Sequence, residues 1–420
     1  MKILFLSNLY PPIYVGGYEL ECRDIAEGLR SRGHEITVVT SMHGFKSPQV
    51  DGHVHRALKF LPDEVSPGML SHKFTDPASY LEGLRKSYTV GRYNTREFAR
   101  ILDNARPDVV SVWCMNDISM TMLQEISDRG IPRVHRIATP WVADALEYYC
   151  SGNIVRRAIR RLMTGIRNPQ KCFIDGLFVT PSDFIGKQLV EVGIPDDQVA
   201  TIFCPATIPK EVAPLYDGKA FRMLYAGRVC EEKGVHIAVR AVGELAMIAP
   251  HAKFDLDIIG DGPEDYLSQL KQEAKDLGVE GRLHFSGLVP REKLEQMRSQ
   301  YHAFVFTSIW PEPGAMILIE SMAYGLPIIA SPAGGTGEYL IHEENALTFP
   351  IGDHKALAAA MKRLMGDRDL QEKLREGGRR TAFERFDFEK ILDLHEHYLL
   401  SAAGKAATAP AVTGGGNGDC

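Results

Sequence analysis

Short apolar runs alternate with amphipathic segments along most of the chain. The first run, at residues 2–8, precedes a proline- and glycine-rich loop, and apolar side chains then recur at helical spacing over residues 18–31. A second apolar run follows at residues 35–40. Because a strand, a helix and another strand in this order form a parallel unit, the pattern predicts an α/β domain with a buried parallel sheet.

The same alternation continues through the first half. It predicts helices at residues 119–130 and 183–193, and strands at residues 107–113, 131–139 and 176–182. Residues 43–100 show no clear period and are predicted to mix loop and helix. The first half is therefore predicted to form one doubly wound domain.

A stretch that contains Pro205, Pro209 and Pro214 interrupts the alternation and is interpreted as a linker. Strands and helices alternate again from residue 222 to residue 331, which predicts a second doubly wound domain. We expect the two domains to face each other across a cleft, with ligands beyond the carboxyl ends of the strands. The predicted boundaries are 1–204 and 205–385, with a helix at 386–402 that crosses back to the first domain and a disordered tail at 403–420.

Composition and charge narrow the class of protein. The net charge of −6 argues against a nucleic-acid-binding protein that relies on bulk positive charge. The seven cysteines are scattered and form no C-x-x-C pair, which indicates reduced thiols in the cytoplasm. No signal peptide and no apolar run of membrane-spanning length is apparent. The basic stretch at 153–171 is interpreted as an amphipathic surface helix, and peripheral contact with an anionic membrane is the alternative.

Two carboxylates flank one apolar segment in the second half. Glu312 and Glu320 are joined by "PGAMILI", where Pro313 and Gly314 predict a helix that begins near Ala315, and Gly325 predicts its end. The N-terminus of such a helix suits a phosphate, and the carboxylates can accept hydrogen bonds from sugar and ribose hydroxyls. The alternative is a helix-capping Glu312 with a solvated Glu320, but the apolar surroundings of Glu320 argue against solvation.

Two cations follow the first strand of the second half. Arg228 and Lys233 lie in "GRVCEEKG", where they could neutralise the charge that grows on a diphosphate leaving group. The alternative is a charged turn in which they pair with Glu231 and Glu232, and this motif taken alone favours the charged turn.

Taken in order, several motifs resemble the family 4 glycosyltransferases. These motifs are "PPIYVGGYE", "GRVCEEKG", "IIGDGP", "FSGLV", "SIWPEPGAMILIESMAYGLPIIAS" and "GGTGEYL". The resemblance implies the GT-B fold, with two Rossmann-like domains. It also implies a retaining, metal-independent glycosyltransferase that moves a sugar from a nucleotide donor to an acceptor hydroxyl.

The resemblance also implies roles for matching residues. Arg228 and Lys233 would hold the diphosphate and Glu312 would contact the transferred sugar, and these three are the predicted catalytic residues. Glu320 would bind the ribose hydroxyls. The remaining predicted donor-binding residues are Gly16, Gly17, Gly262, Leu288, Gly314, Ala315, Met316 and Ile317.

Three features depart from the expected pattern. Many relatives have E-P-F-G where this chain has Glu312-Pro313-Gly314-Ala315. Ala138 occupies the position where many relatives carry a histidine, and the nearby His135 is interpreted as a structural or edge histidine and not as the catalytic one. The D-x-D at Asp255 and Asp257 lies inside a predicted strand, and no catalytic metal is predicted.

The acceptor is not indicated by the sequence, and neither is the donor base. We expect no cofactor other than the nucleotide-sugar co-substrate, with a UDP-sugar as the preferred donor. Two alternatives stay open: a nucleotide-sugar-binding protein without catalysis, which Ala138 would favour, and a GT-B sugar-nucleotide epimerase. The Glu312 and Glu320 pair favours transfer over epimerisation.

Overall fold

The computed structural model divides the chain into two compact units. Unit 1 contains residues Met1–Ile202 together with the C-terminal segment that starts at Leu392, and unit 2 contains Phe203–Ile391. The structure describes residues 1–61, 77–139, 141–155, 157–158, 161, 166–210, 212–213 and 219–405.

Unit 1 is built on an eight-stranded sheet. Its strands are β1 Lys2–Leu6, β2 Glu35–Ser41, β3 Gln49–Asp51, β4 Val54–Leu58, β5 Val109–Val112, β6 Arg133–Arg136, β7 Leu177–Thr180 and β8 Val199–Thr201. The spatial order is β3-β4-β2-β1-β5-β6-β7-β8, and every pair is parallel except β3 with β4. The predicted parallel sheet is confirmed, and the antiparallel edge strand was not predicted.

The helices of unit 1 connect these strands. They are α1 Gly17–Ser31, α2 Pro77–Ala105, α3 Thr121–Asp128, α4 Trp141–Cys150, α5 Pro169–Ile174 and α6 Asp183–Glu191. The segment from 43 to 100, where the sequence showed no clear period, contains β3, β4 and most of α2. Several residues of the basic stretch at 153–171 lie outside the described residues, so the predicted amphipathic surface helix and the alternative of membrane contact both stay untested predictions.

Unit 2 contains a six-stranded parallel sheet in the order β11-β10-β9-β12-β13-β14. The strands are β9 Phe221–Ala226, β10 Phe254–Ile259, β11 Leu283–Gly287, β12 Ala303–Phe306, β13 Ile328–Ala330 and β14 Leu347–Thr348. The helices are α7 Val235–Ile248, α8 Glu264–Asp276, α9 Arg291–Met297, α10 Met316–Tyr324, α11 His354–Gly366 and α12 Arg368–Arg385.

Both faces of this second sheet are buried. Met223 and Tyr225 of β9 belong to one apolar cluster, whereas the alternate residues Leu224 and Ala226 belong to another. Because successive side chains of a strand point to opposite faces, the two clusters cover opposite sides of the sheet. This burial explains why the strands read as continuous apolar runs, and it leaves the carboxyl edge of the sheet for function.

The unit boundaries differ by a few residues from the predicted ones. Phe203, predicted to lie in the first domain, belongs to unit 2, where it packs edge-on against Tyr339 and Phe386. The last helix, α13 Phe388–Ala402, belongs to unit 1 from Leu392 onward. Residues 403–405, predicted as part of the disordered tail, instead form the turn that ends α13, and residues 406–420 lie outside the described residues.

A buried ion pair lies within the first unit. Arg136 on β6 and Glu21 on α1 are each 1% exposed and lie 2.7 Å apart, and Arg136 also donates to the carbonyl of Ile202 at 2.6 Å. Nearby, His395 of α13 stacks on Trp113. Burial, with Arg136 close by, holds the pKa of His395 well below its usual range, so this imidazole is neutral in the folded chain.

Replacing Glu21→Gln should destabilise the chain. The change leaves the Arg136 guanidinium buried without its carboxylate, which costs about 3–5 kcal/mol. Urea unfolding followed by tryptophan fluorescence measures the loss. Glu35→Gln is the matched control, because Glu35 pairs with Lys2 at the surface and should cost less than about 0.5 kcal/mol. Equal stability of the two variants would contradict the expectation.

Candidate active site in the second unit

Three loops lie side by side at the carboxyl edge of the second sheet. The N–H of Gly227, after β9, donates to the carbonyl of Ile259 at 3.0 Å, and the N–H of Val229 donates to Asp261 at 2.8 Å. The N–H of Gly260, after β10, donates to Gly287 at the end of β11 at 2.9 Å. These bonds join the loops that follow three neighbouring strands, so the loops form one surface.

Close backbone approach requires two glycines on this surface. A Cβ at Gly260 would lie 1.8 Å from the carbonyl oxygen of Gly227, and a Cβ at Gly262 would lie 1.8 Å from that of Val229. Gly260 also has a φ of +145°, which side chains disfavour. The "GDG" motif is therefore explained first by contact between loops, and the donor-binding role of Gly262 stays a prediction.

Arg228 is exposed on the same surface. The hydroxyl of the buried Tyr225 donates to the Arg228 carbonyl at 2.9 Å, and burial raises the pKa of Tyr225 well above its usual range. The hydroxyl therefore stays protonated and fixes the loop. Across the described ranges, no hydrogen bond or ion pair of the Arg228 side chain is found, so the guanidinium is available to an anion.

Lys233 and Glu312 meet in a nearly buried ion pair. Lys233 Nζ lies 2.5 Å from Glu312 Oε1, and the side chains are 20% and 7% exposed. Ser308, two residues beyond β12, donates from Oγ to the same carboxylate oxygen at 2.6 Å. Lys233 thus pairs with Glu312 and not with its neighbours Glu231 and Glu232, which were the alternative from the sequence.

The backbone around Lys233 is held by the loop after β12. Thr307 donates from Oγ1 to the carbonyl of Lys233 at 2.9 Å, and the N–H groups of Ile309 and Trp310 both donate to the carbonyl of Glu232. Gly234 has a φ of +64°, and a Cβ there would lie 2.0 Å from the Thr307 carbonyl oxygen. Only glycine therefore permits this approach, which places Lys233 just before the N-terminus of α7.

The helix predicted between the two glutamates is confirmed. Helix α10 begins at Met316 with Ala315 as its N-cap, and it ends at Gly325, whose φ is +80°. Within the described part of the chain, the N–H groups of Met316 and Ile317 have no acceptor. These groups follow Gly314 and Ala315, and they give the helix a free, partly positive N-terminus that begins four residues from Glu312 in sequence.

Glu320 lies in the second turn of α10 and is held by two arginines. Arg291 Nη2 lies 2.7 Å from Glu320 Oε1, and Arg298 Nη2 lies 2.5 Å from Glu320 Oε2. Glu320 is 12% exposed, so the alternative of a solvated carboxylate is excluded. The predicted contact between Glu320 and a ribose stays a prediction.

Leu288 lies in unit 2, and Gly16 and Gly17 lie in unit 1. Leu288 is 81% exposed directly after β11, next to the three joined loops. Gly16 and Gly17 lie in unit 1 at the start of α1, where the Glu19 carboxylate accepts from the Gly16 N–H at 2.9 Å. A Cβ at Gly16 would meet no atom within 4 Å, so no contact in the described structure explains glycine there. The predicted approach of Gly16 and Gly17 to the donor stays a prediction.

His135 is a structural residue. It is fully buried on β6 and stacks on Phe178 with ring centroids 4.6 Å apart. Burial, together with nearby Arg133, holds the pKa of His135 well below its usual range. The interpretation of His135 as structural is confirmed. Its position in the interior of the strand order shows that it is not an edge residue.

The D-x-D motif lies within β10. Asp257 forms an ion pair with Arg222 at 2.5 Å, and Asp255 lies 3.8 Å from His284. Among the described residues, no group of three or more His, Cys, Asp or Glu side chains could hold a metal ion.

Sequence reasoning missed several residues that support the site. Ser308 is the second residue after β12, in "TSIWPE", a position that could have indicated a polar partner for Glu312. Arg291 and Arg298 are seven residues apart, a spacing that places both on one side of a helix. Nothing in the sequence linked either arginine to Glu320.

Two family models match adjacent parts of the chain. Residues 15–206 match the model described as glycosyltransferase family 4, and residues 210–381 match the one described as glycosyl transferases group 1. The chain is therefore a glycosyltransferase. It belongs to the family 4 type, which confirms the resemblance inferred from the motifs.

Individual relatives agree with this assignment. An uncharacterised glycosyltransferase of Methanocaldococcus jannaschii is 24% identical over 93% of this chain and 96% of its own length. The glycogen synthase of Mycobacterium tuberculosis is 23% identical over 96% of this chain and 95% of its own. The lipopolysaccharide core biosynthesis glycosyltransferase LpsE of Rhizobium meliloti is 32% identical, but over only 42% of this chain and 48% of its own.

Solved structures show the fold. A sucrose-phosphate synthase from Thermosynechococcus elongatus aligns with a TM-score of 0.68 at 18% identity, over 96% of this chain and 99% of that chain. HepE of Anabaena, in complex with UDP and glucose, aligns with a TM-score of 0.65 at 20% identity, over 96% of this chain and 100% of that one. The chain therefore has the GT-B fold, as the sequence predicted.

Replacing Gly260→Ala should disrupt the joined loops. The added Cβ would meet the Gly227 backbone, which cannot yield as a flexible side chain could. We expect the free energy of unfolding, measured in urea, to fall by about 1–3 kcal/mol. Gly281→Ala is the matched control, because a Cβ there meets no atom within 4 Å. A Gly260→Ala variant as stable as the control would contradict the described loop contact.

Proposed function

We propose that this glycosyltransferase takes its sugar from a nucleoside diphosphate donor and transfers it, with retention and without a metal ion, to an acceptor hydroxyl. The observation that supports the proposal most directly is the Lys233–Glu312 pair after β9 and β12. It combines a cation and a carboxylate at the edge of a parallel sheet where α/β proteins bind ligands.

The diphosphate would be held by positive charge from several sources. Lys233 uses one N–H for Glu312 and keeps two donors for phosphate oxygens. Arg228 is exposed in the same connection between β9 and α7. The amides of Gly314, Ala315, Met316 and Ile317 would add the helix N-terminus, a favourable site for an anion. These groups stabilise the charge that develops as the donor bond breaks.

The proposed reaction exchanges one bond at the anomeric carbon. The bond between this carbon and the diphosphate oxygen breaks, and the acceptor oxygen forms a new bond on the same face. The acceptor proton passes to the departing phosphate oxygen, so no separate base is required, and Ala138 is compatible with transfer. Glu312 would position Lys233 and contact the sugar hydroxyls.

The nucleoside would extend along the same edge of the sheet. Glu320 would accept from the ribose hydroxyls, Gly262 would let the backbone approach the donor, and Leu288 would contact the base with its exposed side chain. UDP is the preferred donor nucleotide. HepE, which shares the fold, has been solved with UDP-glucose, and this supports testing that donor first.

We propose that unit 1 binds the acceptor and that the enzyme acts in the cytoplasm, as its scattered cysteines predicted. In the part of the chain that the structure describes, no helix is both long enough and apolar enough to cross a membrane.

A nucleotide panel should identify the donor class. UDP, GDP, ADP and TDP sugars are compared by their shift of the melting temperature, since a ligand that binds only the folded chain stabilises it. We expect one base to stabilise the wild-type chain clearly and the Glu320→Gln variant less. Glu280→Gln is the control, because Glu280 is exposed and lies before β11. Equal shifts for wild type and Glu320→Gln would remove Glu320 from the site.

Replacing Arg228→Ala should reduce turnover without unfolding the chain. Because this guanidinium has no described partner, the change removes charge from the site alone. We expect the release of UDP from UDP-glucose, with simple sugars as acceptors, to fall about 10²- to 10³-fold, with an unchanged melting temperature. The control is Arg240→Ala, whose side chain pairs with Glu273 on another surface.

Two outcomes would contradict this expectation. If the Arg228→Ala variant keeps wild-type turnover, the diphosphate leaving group is not bound by Arg228. Conversion of the donor to an epimer in the absence of any acceptor would replace transfer with isomerisation.

A further inference from the structure

Both carboxylate oxygens of Glu320 have arginine partners within unit 2. Each of its oxygens accepts a charge-assisted bond from one arginine, Oε1 from Arg291 at 2.7 Å and Oε2 from Arg298 at 2.5 Å. A ribose has neighbouring hydroxyls, and binding both of them would use one acceptor site on each oxygen. Any such ligand therefore meets a carboxylate whose charge is shared with two cations.

The two arginines differ in how firmly they are held. The Arg298 side chain is 7% exposed, and leaving it without a carboxylate would bury an unpaired charge. The Arg291 side chain is 32% exposed and begins helix α9, so water can solvate it. Releasing Arg291 from Glu320 therefore costs much less than releasing Arg298.

Arg291 also has a second carboxylate within reach. Its Nε lies 3.4 Å from Glu295 Oε1, one turn along α9, and the Glu295 side chain is 51% exposed. Arg291 thus lies between a nearly buried carboxylate on α10 and an exposed one on its own helix. It can move towards Glu295 without losing an anionic partner.

We propose that Arg291 is a positioning residue that competes with the ribose hydroxyls of the donor for Glu320. Donor binding shifts Arg291 towards Glu295 and makes the acceptor site that Arg291 used on Oε1 available to a hydroxyl, while Arg298 holds the carboxylate in place. Glu295 thereby sets how readily Glu320 becomes available. This inference rests on the proposed ribose role of Glu320.

The test compares two ligands that differ only in the ribose hydroxyls. The affinities of UDP and 2′,3′-dideoxy-UDP are measured by calorimetry. The affinity for UDP divided by that for the dideoxy compound gives the preference for the ribose hydroxyls. Removing a cation near a diphosphate weakens both ligands alike, so the ratio isolates the competition for Glu320. In Arg291→Ala we expect the ratio to rise about 2- to 5-fold, because the apparent affinity no longer includes displacement of Arg291.

A second variant should act in the opposite direction. In Glu295→Gln, Arg291 has only Glu320 as a carboxylate partner, so the ratio should fall about twofold. Arg240→Ala removes a cation from another surface of unit 2 and should leave the ratio unchanged. A residue that only supported the fold would lower both affinities and leave the ratio unchanged.

Glu320→Gln separates the failure of this inference from that of the proposed function. If this variant loses the ribose preference while Arg291→Ala leaves the ratio at the wild-type value or lowers it, the competition is overturned and the ribose role stands. If Glu320→Gln keeps the full preference, both are overturned. The same conclusion follows if neither UDP nor ADP, assayed in parallel, binds the wild-type chain.

Discussion

The ion pair between Lys233 and Glu312 determines how the loops of the second unit must be arranged. The Glu312 side chain is 7% exposed, and a carboxylate at such a depth is costly without a cation. Lys233 reaches it only because its own turn is bonded to the loop after β12, through Thr307 and the carbonyl of Glu232. A change in either loop would separate the charges, so the chemistry and the local fold share the same contacts.

Glycines extend this arrangement across the sheet edge. Gly260, Gly262 and Gly234 each lie where a Cβ would meet a carbonyl oxygen of a neighbouring loop, at 1.8, 1.8 and 2.0 Å. These contacts hold the ends of β9, β10 and β12 in register with one another. Because the loops are already held in place, they can present charges such as Arg228 to a ligand without losing much conformational entropy on binding.

The site was only partly readable from the sequence. Gly325 and the Pro313-Gly314 pair predicted the limits of α10, because these residues act on the backbone locally. The apolar run around Glu320 indicated that this carboxylate is not solvated. Its partners Arg298 and Arg291 are 22 and 29 residues away, in the turn after α9 and at the start of α9, and local sequence patterns do not specify such contacts.

The alternation of apolar runs and amphipathic segments was enough to predict two parallel sheets and the loops that follow their strands. This works because side-chain burial imposes a period on each strand and helix separately. Which charges meet at the sheet edge was decided by tertiary structure alone. Lys233 has acidic neighbours in sequence, yet it pairs with Glu312. Contacts between loops that are far apart in the chain bring the Lys233 ammonium and the Glu312 carboxylate within ion-pair distance.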